Sequence, residues 1–186
     1  MGGYHYLTSS LPALSLDAPP PCTPEEFRFR CQGVLSAEDQ RELALLLEGR
    51  AGEGSCRFCR DWASADAQIR NSAAKVRGTR LGVDAKPFLR SHEGYRVWLD
   101  RAVGDALGKA NPLARERGLD EARWAVADDL AKADPTGLAG VLAWAVQLTL
   151  AARWAGRSDA EGKARLERLV QDLEDRAAKS GATDFK

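Results

Sequence analysis

The stretch DWASADAQIRNSAAKVRGTR, residues 61–80, decides the fold class. Its apolar positions Trp62, Ala65, Ile69, Ala73 and Val76 recur every three or four residues, the spacing that lines one face of an α-helix. Gly82 and Asp84 interrupt the pattern, and Pro87 confirms the break. Toward the N-terminus, Gly52 and Gly54 are expected to form a loop carrying Cys56 and Cys59. Ser36 opens a helix to Gly49 with Leu43, Leu46 and Leu47 on one face. Thr23-Pro24-Glu25-Glu26 starts a shorter helix ending near Gly33, with Thr as cap, Pro in the first turn and Glu26 closing a capping box.

Toward the C-terminus the same punctuation repeats. Ser91 with Glu93 is expected to open a helix burying Tyr95, Trp98, Leu99, Val103 and Leu107. Asn111-Pro112 opens another through Leu113, Leu119, Ala122, Val126 and Leu130, and Asp134-Pro135 a third, strongly apolar one ending near Gly156. Ser158 with Glu161 caps the last, which Leu166, Leu169, Val170 and Leu173 stripe. Helices joined by short capped turns predict an all-α bundle or array of about six to seven helices. Leu11-Pro12 and Pro19-Pro20-Pro21 make residues 1–22 an extended N-terminal arm rather than a helix. Residues 23–180 form a single helical domain, or two small lobes over 23–109 and 110–180, and residues 181–186 a frayed tail.

Composition agrees and excludes several classes. The 186 residues are 44% hydrophobic and 29% charged, enough to bury a core. Lys plus Arg and Asp plus Glu number 27 each, which argues against a globally basic nucleic-acid binder. The N-terminus lacks the basic region and unbroken apolar core of a secretory signal, and Tyr6 stands where myristoylation requires Ser or Thr. The uncharged run Thr136–Ala152 is shorter than a membrane span and reads as a core helix. A cytoplasmic chain without direct membrane insertion is expected.

Chemistry-bearing patterns are sparse. There is no Walker A loop, no H-E-x-x-H and no G-x-S-x-G, and the two histidines, His5 and His92, have no relay partners nearby in sequence. No catalytic residue, cofactor or metal is expected. Cys56 and Cys59 form one C-x-x-C, and Cys22 and Cys31 would complete a zinc tetrahedron. Those two are too far apart in sequence for a second knuckle, however, so free thiols are the expectation. From Gln68 to Arg90, six basic residues face the single Asp84. Arg70, Arg77 and Arg80 share one helical stripe, and mid-helix Asn71 demands a compensating hydrogen bond. Three readings suit the stripe: internal pairing with Glu116, Asp120, Glu121, Asp128 and Asp129; docking of an acidic protein partner; or a nucleic-acid-binding adaptor.

Several of these segments, taken in order, resemble a bacterial family of unknown function encoded among the genes of V-type ATPases. That family is distantly similar to the ring-capping C-type component of V/A-type ATPases, whose eukaryotic counterpart is the d-type component. The resemblance runs through Tyr4-His-Tyr-Leu-Thr-Ser-Ser-Leu-Pro-Ala-Leu14, Trp62, Gln68-Ile-Arg-Asn-Ser-Ala-Ala-Lys75, Arg77 and Arg80. It resumes at Asn111-Pro-Leu-Ala-Arg-Glu-Arg-Gly-Leu119, Arg123-Trp124 and Arg153-Trp154. The Cys56–Cys59 pair is not part of that pattern. The C-type component is a longer, noncatalytic, all-helical funnel that caps the proteolipid ring and receives the central stalk. The resemblance therefore implies a noncatalytic coupling piece that contacts the rotor stalk and the proteolipid ring and meets the membrane peripherally, through the complex. Candidate interface or structural residues are Tyr4, Tyr6, Trp62, Arg70, Asn71, Arg77, Arg80 and Trp124, with the Tyr4–Leu14 arm expected to dock on its own body.

Overall fold

A computed structural model describes residues 3–157 and 159–181. Its elements run α1 (His5–Ser10), α2 (Pro24–Cys31), α3 (Ala37–Leu47), α4 (Arg57–Leu81), α5 (Val97–Gly108), α6 (Pro112–Ala131), α7 (Leu138–Ala155) and α8 (Asp159–Gly181). No strand occurs among the described residues, and the fold is all-α.

Local chemistry explains most boundaries. Thr23 and Glu26 form the expected reciprocal capping box at α2. Ser36 caps α3, and Asn111 caps α6 ahead of Pro112. Gly82, at φ +67°, ends α4 in the left-handed conformation that glycine adopts without strain. The Ser158 cap and the tail beyond residue 181 lie outside the described residues.

Four expectations are corrected. The arm is not wholly extended: residues 5–10 make the short helix α1, because the prolines begin only at Pro12, which holds Leu11 extended and stops it. Cys56 and Cys59 do not sit in a loop; Cys56 is the N-cap of α4, its Sγ accepting the Cys59 N–H at 3.3 Å. On α3 the expected face holds, with Leu43 and Leu46 buried in the first core and Leu47 half-buried against it, and Leu45 is buried as well. α5 begins at Val97 rather than near Ser91, because side chains of α4 claim the backbone of the preceding segment; of the residues expected to be buried there, Tyr95 is 61% and Trp98 39% exposed. α7 begins at Leu138, because Gly137 is extended and the Gly137 and Gly140 N–H groups both close onto the Asp134 carbonyl.

Two apolar clusters form the core. The first gathers Phe27 and Cys31 of α2, Leu43 and Leu46 of α3, Phe58 and Cys59 of α4, and the buried run Val141–Val146 of α7. The second joins Ala65, Ile69 and Ala73 of α4 to Leu99, Val103 and Leu107 of α5 and Leu119, Ala122 and Val126 of α6. The clusters do not divide the chain at residue 110, since α7 completes a core begun by α2 and α3. α7 is also the one helix among the described residues long and apolar enough to cross a membrane, and half of it is buried inside the fold. Close approach of α5 and α6 uses Gly118, where a Cβ would lie 2.7 Å from the Ala106 Cβ.

The arm docks on its own body. Leu7, Leu11, Leu14 and Leu16 pack against the first cluster. The Trp144 indole N–H donates to the Pro12 carbonyl at 2.9 Å, and Arg117 donates to the Leu16 carbonyl at 2.9 Å and to Asp17 at 2.7 Å. Partners more than a hundred residues apart in sequence thus fix the arm.

Candidate functional site

The residues singled out in the sequence separate into anchors and surface groups. Tyr4 is an anchor: its hydroxyl donates to Asp39 and accepts the Ser36 N–H at 3.2 Å, tying the arm to the start of α3. Tyr6 is 90% exposed. Trp62 packs against both core clusters, and Trp124 packs against the first, lining with Leu14 and Leu16 a groove beside the arm.

The basic stripe is shared among three helices. Arg70 is half-exposed and bonds Asp66 one turn earlier at 2.6 Å. Arg77 approaches Glu116 of α6 at 4.0 Å, and Arg80 donates to the Leu107 carbonyl at 2.8 Å, satisfying the C-terminal end of α5. Of the acidic partners expected for this stripe, Glu116 meets Arg77. Asp120 pairs instead with Arg123 and Arg153, Glu121 with Arg117 and Lys109, Asp129 with Lys132, and Asp128 accepts from Gln147.

Asn71 has the compensation its position demands. Its amide donates to the Arg90 carbonyl and accepts the Arg90 N–H, both at 2.8 Å, imitating a peptide group in a ladder. Gln68, one turn earlier, does the same with Arg96 at 2.8 and 3.0 Å. These two buried amides clasp the connection between α4 and α5. Asn71→Ala strands a backbone N–H and C=O and is expected to cost about 1–3 kcal/mol. Arg70→Ala, which removes an exposed pair, should cost within about 1 kcal/mol. Urea unfolding of the two variants checks the contrast, and equal losses would refute it.

Asp100, at the start of α5, adds a titratable part to this clasp. Burial pushes its carboxyl up, but hydrogen bonds from Ser72, Tyr95 and Gln68 outweigh that, with Lys75 adding a smaller attraction, and hold it below the ordinary value. A carboxylate depressed in the folded state stabilises above its unfolded pKa of about 3.9 and loses that contribution as pH falls below it. Stability should therefore drop with acid over that range, and Asp100→Asn should flatten the fall. An unchanged acid profile in that variant would exclude the assignment.

The most deeply buried ionic group carries no site signal in the sequence. Asp120 of α6 is fully buried and accepts from Arg123 at 3.0 Å, from Arg153, and from the Trp154 indole N–H at 2.8 Å. Arg123 also bonds Asp66 of α4 at 3.0 Å, and Asp66 holds Arg70, so one ionic chain crosses α4, α6 and α7. Trp154 is flanked by the Arg117 and Arg157 guanidiniums at 5.2 and 4.3 Å. The nearest thing to a pointer toward this network is the pair of Arg-Trp dipeptides, Arg123-Trp124 and Arg153-Trp154.

A cavity of about 580 Å³ opens where the arm meets α3, α4 and α7, lined by Tyr4, Asp39, Cys56, Arg96, Asp129 and Leu138. Behind Cys56 lie Cys59 and Glu42, with one donor atom from each of the three within 4.8 Å of the others. The Cys59 thiol hydrogen-bonds onto Cys56 and draws it below the ordinary thiol value, while the same contact and burial push Cys59 up. Burial also raises Glu42, but the two hydrogen bonds from Ser55, with a smaller attraction from the nearby Cys56, prevail and hold it at about 2. Cys22 and Cys31 lie outside this cluster, within the first core, so they do not complete a tetrahedron with the C-x-x-C.

The expected stripe on the last helix is formed but uncovered: Leu166, Leu169, Val170 and Leu173 on α8 are 46–64% exposed. Comparisons with protein-family models, curated proteins and solved structures found no match for this chain.

Proposed function

We propose that this chain is a noncatalytic accessory subunit of a bacterial V/A-type ATPase, linking the soluble rotor stalk to the membrane proteolipid ring through protein contacts. The observation that carries the interaction role is the apolar stripe of α8. Its positions i, i+3, i+4 and i+7 make a seam suited to a partner helix, and side chains of that size left in water along one face favour burial against a neighbour. The ATPase assignment rests on the ordered sequence resemblance. The ionic chain across α4, α6 and α7 and the docked arm suit a part that must transmit force without yielding. Membrane association in this reading is peripheral, borrowed from the complex, with α7 retained as a core helix.

The test is affinity purification of the tagged full chain from gently solubilised membranes of its own host, with mass spectrometry of the partners. Recovery of rotor-stalk and proteolipid subunits is expected, and loss of that recovery in Leu169→Glu/Leu173→Glu with the helical content intact. Recovery of nucleic acid in a salt-sensitive manner would instead support the adaptor reading of the 68–90 stripe. Failure to recover any ATPase component from an extract containing the intact enzyme rules the proposal out.

A further inference from the structure

We propose that Glu42, Cys56 and Cys59 form a binding site for a thiophilic divalent cation, Zn²⁺, independently of the ATPase reading. The three donor atoms lie within 4.8 Å of one another. Tetrahedral zinc, with bonds of about 2.0–2.3 Å, sets its ligand atoms roughly 3.5–3.8 Å apart, so small side-chain rotations close the gap. Cys56 as N-cap and Cys59 in the first turn of α4 give the two sulfurs a fixed bite, and Glu42 enters from α3.

Glu42 supplies the independent observation that a ligand belongs here. The residue is 3% exposed, and its Oε1 accepts from the Ser55 N–H at 2.8 Å and the Ser55 hydroxyl at 2.6 Å. Its Oε2 is buried with no hydrogen-bond partner. A buried carboxylate oxygen left unpaired is costly, and a cation is the partner that answers both its charge and its position beside two sulfurs. Ser55 orients the carboxylate as outer hydrogen bonds commonly orient metal ligands.

Gly54 allows the backbone to close over the site, since a Cβ there would lie 2.5 Å from Oε2 and 2.6 Å from the Cys59 Cβ. Two thiols and one carboxylate are a donor set for zinc rather than for magnesium or calcium, which take oxygen ligands. A dithiol acting only in disulfide exchange has no need of the third donor. Three protein ligands leave one tetrahedral position, and Cys56 lines the 580 Å³ cavity, so water or a small ligand reaches the ion from there.

The test uses the reduced full chain, prepared without chelator and titrated with Co²⁺ as a spectroscopic probe and then with Zn²⁺. One Co²⁺ per chain is expected, with thiolate-to-metal charge transfer and the intense visible bands of tetrahedral cobalt, displaced by Zn²⁺. Cys56→Ser should lose much of the charge-transfer band while keeping the helix, because serine is itself a strong N-cap. Glu42→Gln should weaken Co²⁺ binding by roughly 10-fold or more, and Cys22→Ser should leave binding unchanged. Far-UV circular dichroism of each metal-free variant separates a lost ligand from a lost fold. Substoichiometric or octahedral Co²⁺, charge transfer unaffected by Cys56→Ser, or a disulfide between Cys56 and Cys59 with no metal uptake would each overturn the site.

Discussion

Asp120→Ala is expected to lower the free energy of unfolding by about 3 kcal/mol or more, the cost of removing one member of a buried ionic cluster. The aspartate is fully buried, and its loss leaves Arg123, mostly buried itself, without its partner on α6. It also frees Arg153 and the Trp154 indole N–H, which reach Asp120 from α7. For a chain of this length such a loss moves Tm down by about 6–12 °C. Urea unfolding read at two wavelengths measures it. Asp120→Asn, which keeps the shape and some of the hydrogen bonds, should fall between the wild type and the alanine variant. A loss below about 1 kcal/mol for alanine would show that the network contributes little net stability, as some buried ion pairs do.

Phe27→Ala should cost about 3–5 kcal/mol, the range for truncating a fully buried phenylalanine. Phe27 is the anchor of a short helix whose remaining buried residue is Cys31. Its ring stands against Trp144 with centroids 4.5 Å apart, and the same indole holds the arm through Pro12. The variant should therefore loosen two elements together, and limited proteolysis should cut within residues 11–22 faster than in the wild type. A stability loss with no change in cleavage of the arm would separate the two roles.

The caps and the periodicity are readable because they are local. A Thr-Pro-Glu-Glu capping box or an Asn-Pro start satisfies backbone groups within four residues, and both hold their places at α2 and α6. The end of α1 and the start of α7 turn on neighbours within a few residues, whereas the start of α5 is set where distant groups compete for the same backbone. Residues 91–96 carry helix-start signals, yet Gln68 and Asn71 take the peptide groups of Arg96 and Arg90, and α5 starts later. Tyr95, in that connection, and Trp98, in the first turn of α5, stand outside the core.

The candidate site residues divide in the same way. Asn71 is legible, because an amide inside a long helix must find a partner, and it finds Arg90. Arg70 is a less informative choice than Arg123, since both lie on helices beside acidic residues and sequence does not say which arginine faces Asp120. The C-x-x-C is visible, but its third donor, Glu42, sits on another helix and looks in sequence like any residue of an exposed helical face.

By itself, then, the sequence determined the helical class, the place of most turns and the faces able to be apolar, because these follow from hydrogen bonds and spacing within a few residues. Tertiary structure decided which faces are covered. α7 is enclosed by α2, α3 and α6, whereas α8, with an equally regular stripe, leaves Leu166, Leu169, Val170 and Leu173 in solvent. It also decided which charges and thiols meet, setting Asp120 beside Arg153 and Glu42 beside Cys56 and Cys59. The physical reason is that burial and pairing are properties of two surfaces brought together, and one segment encodes only its own.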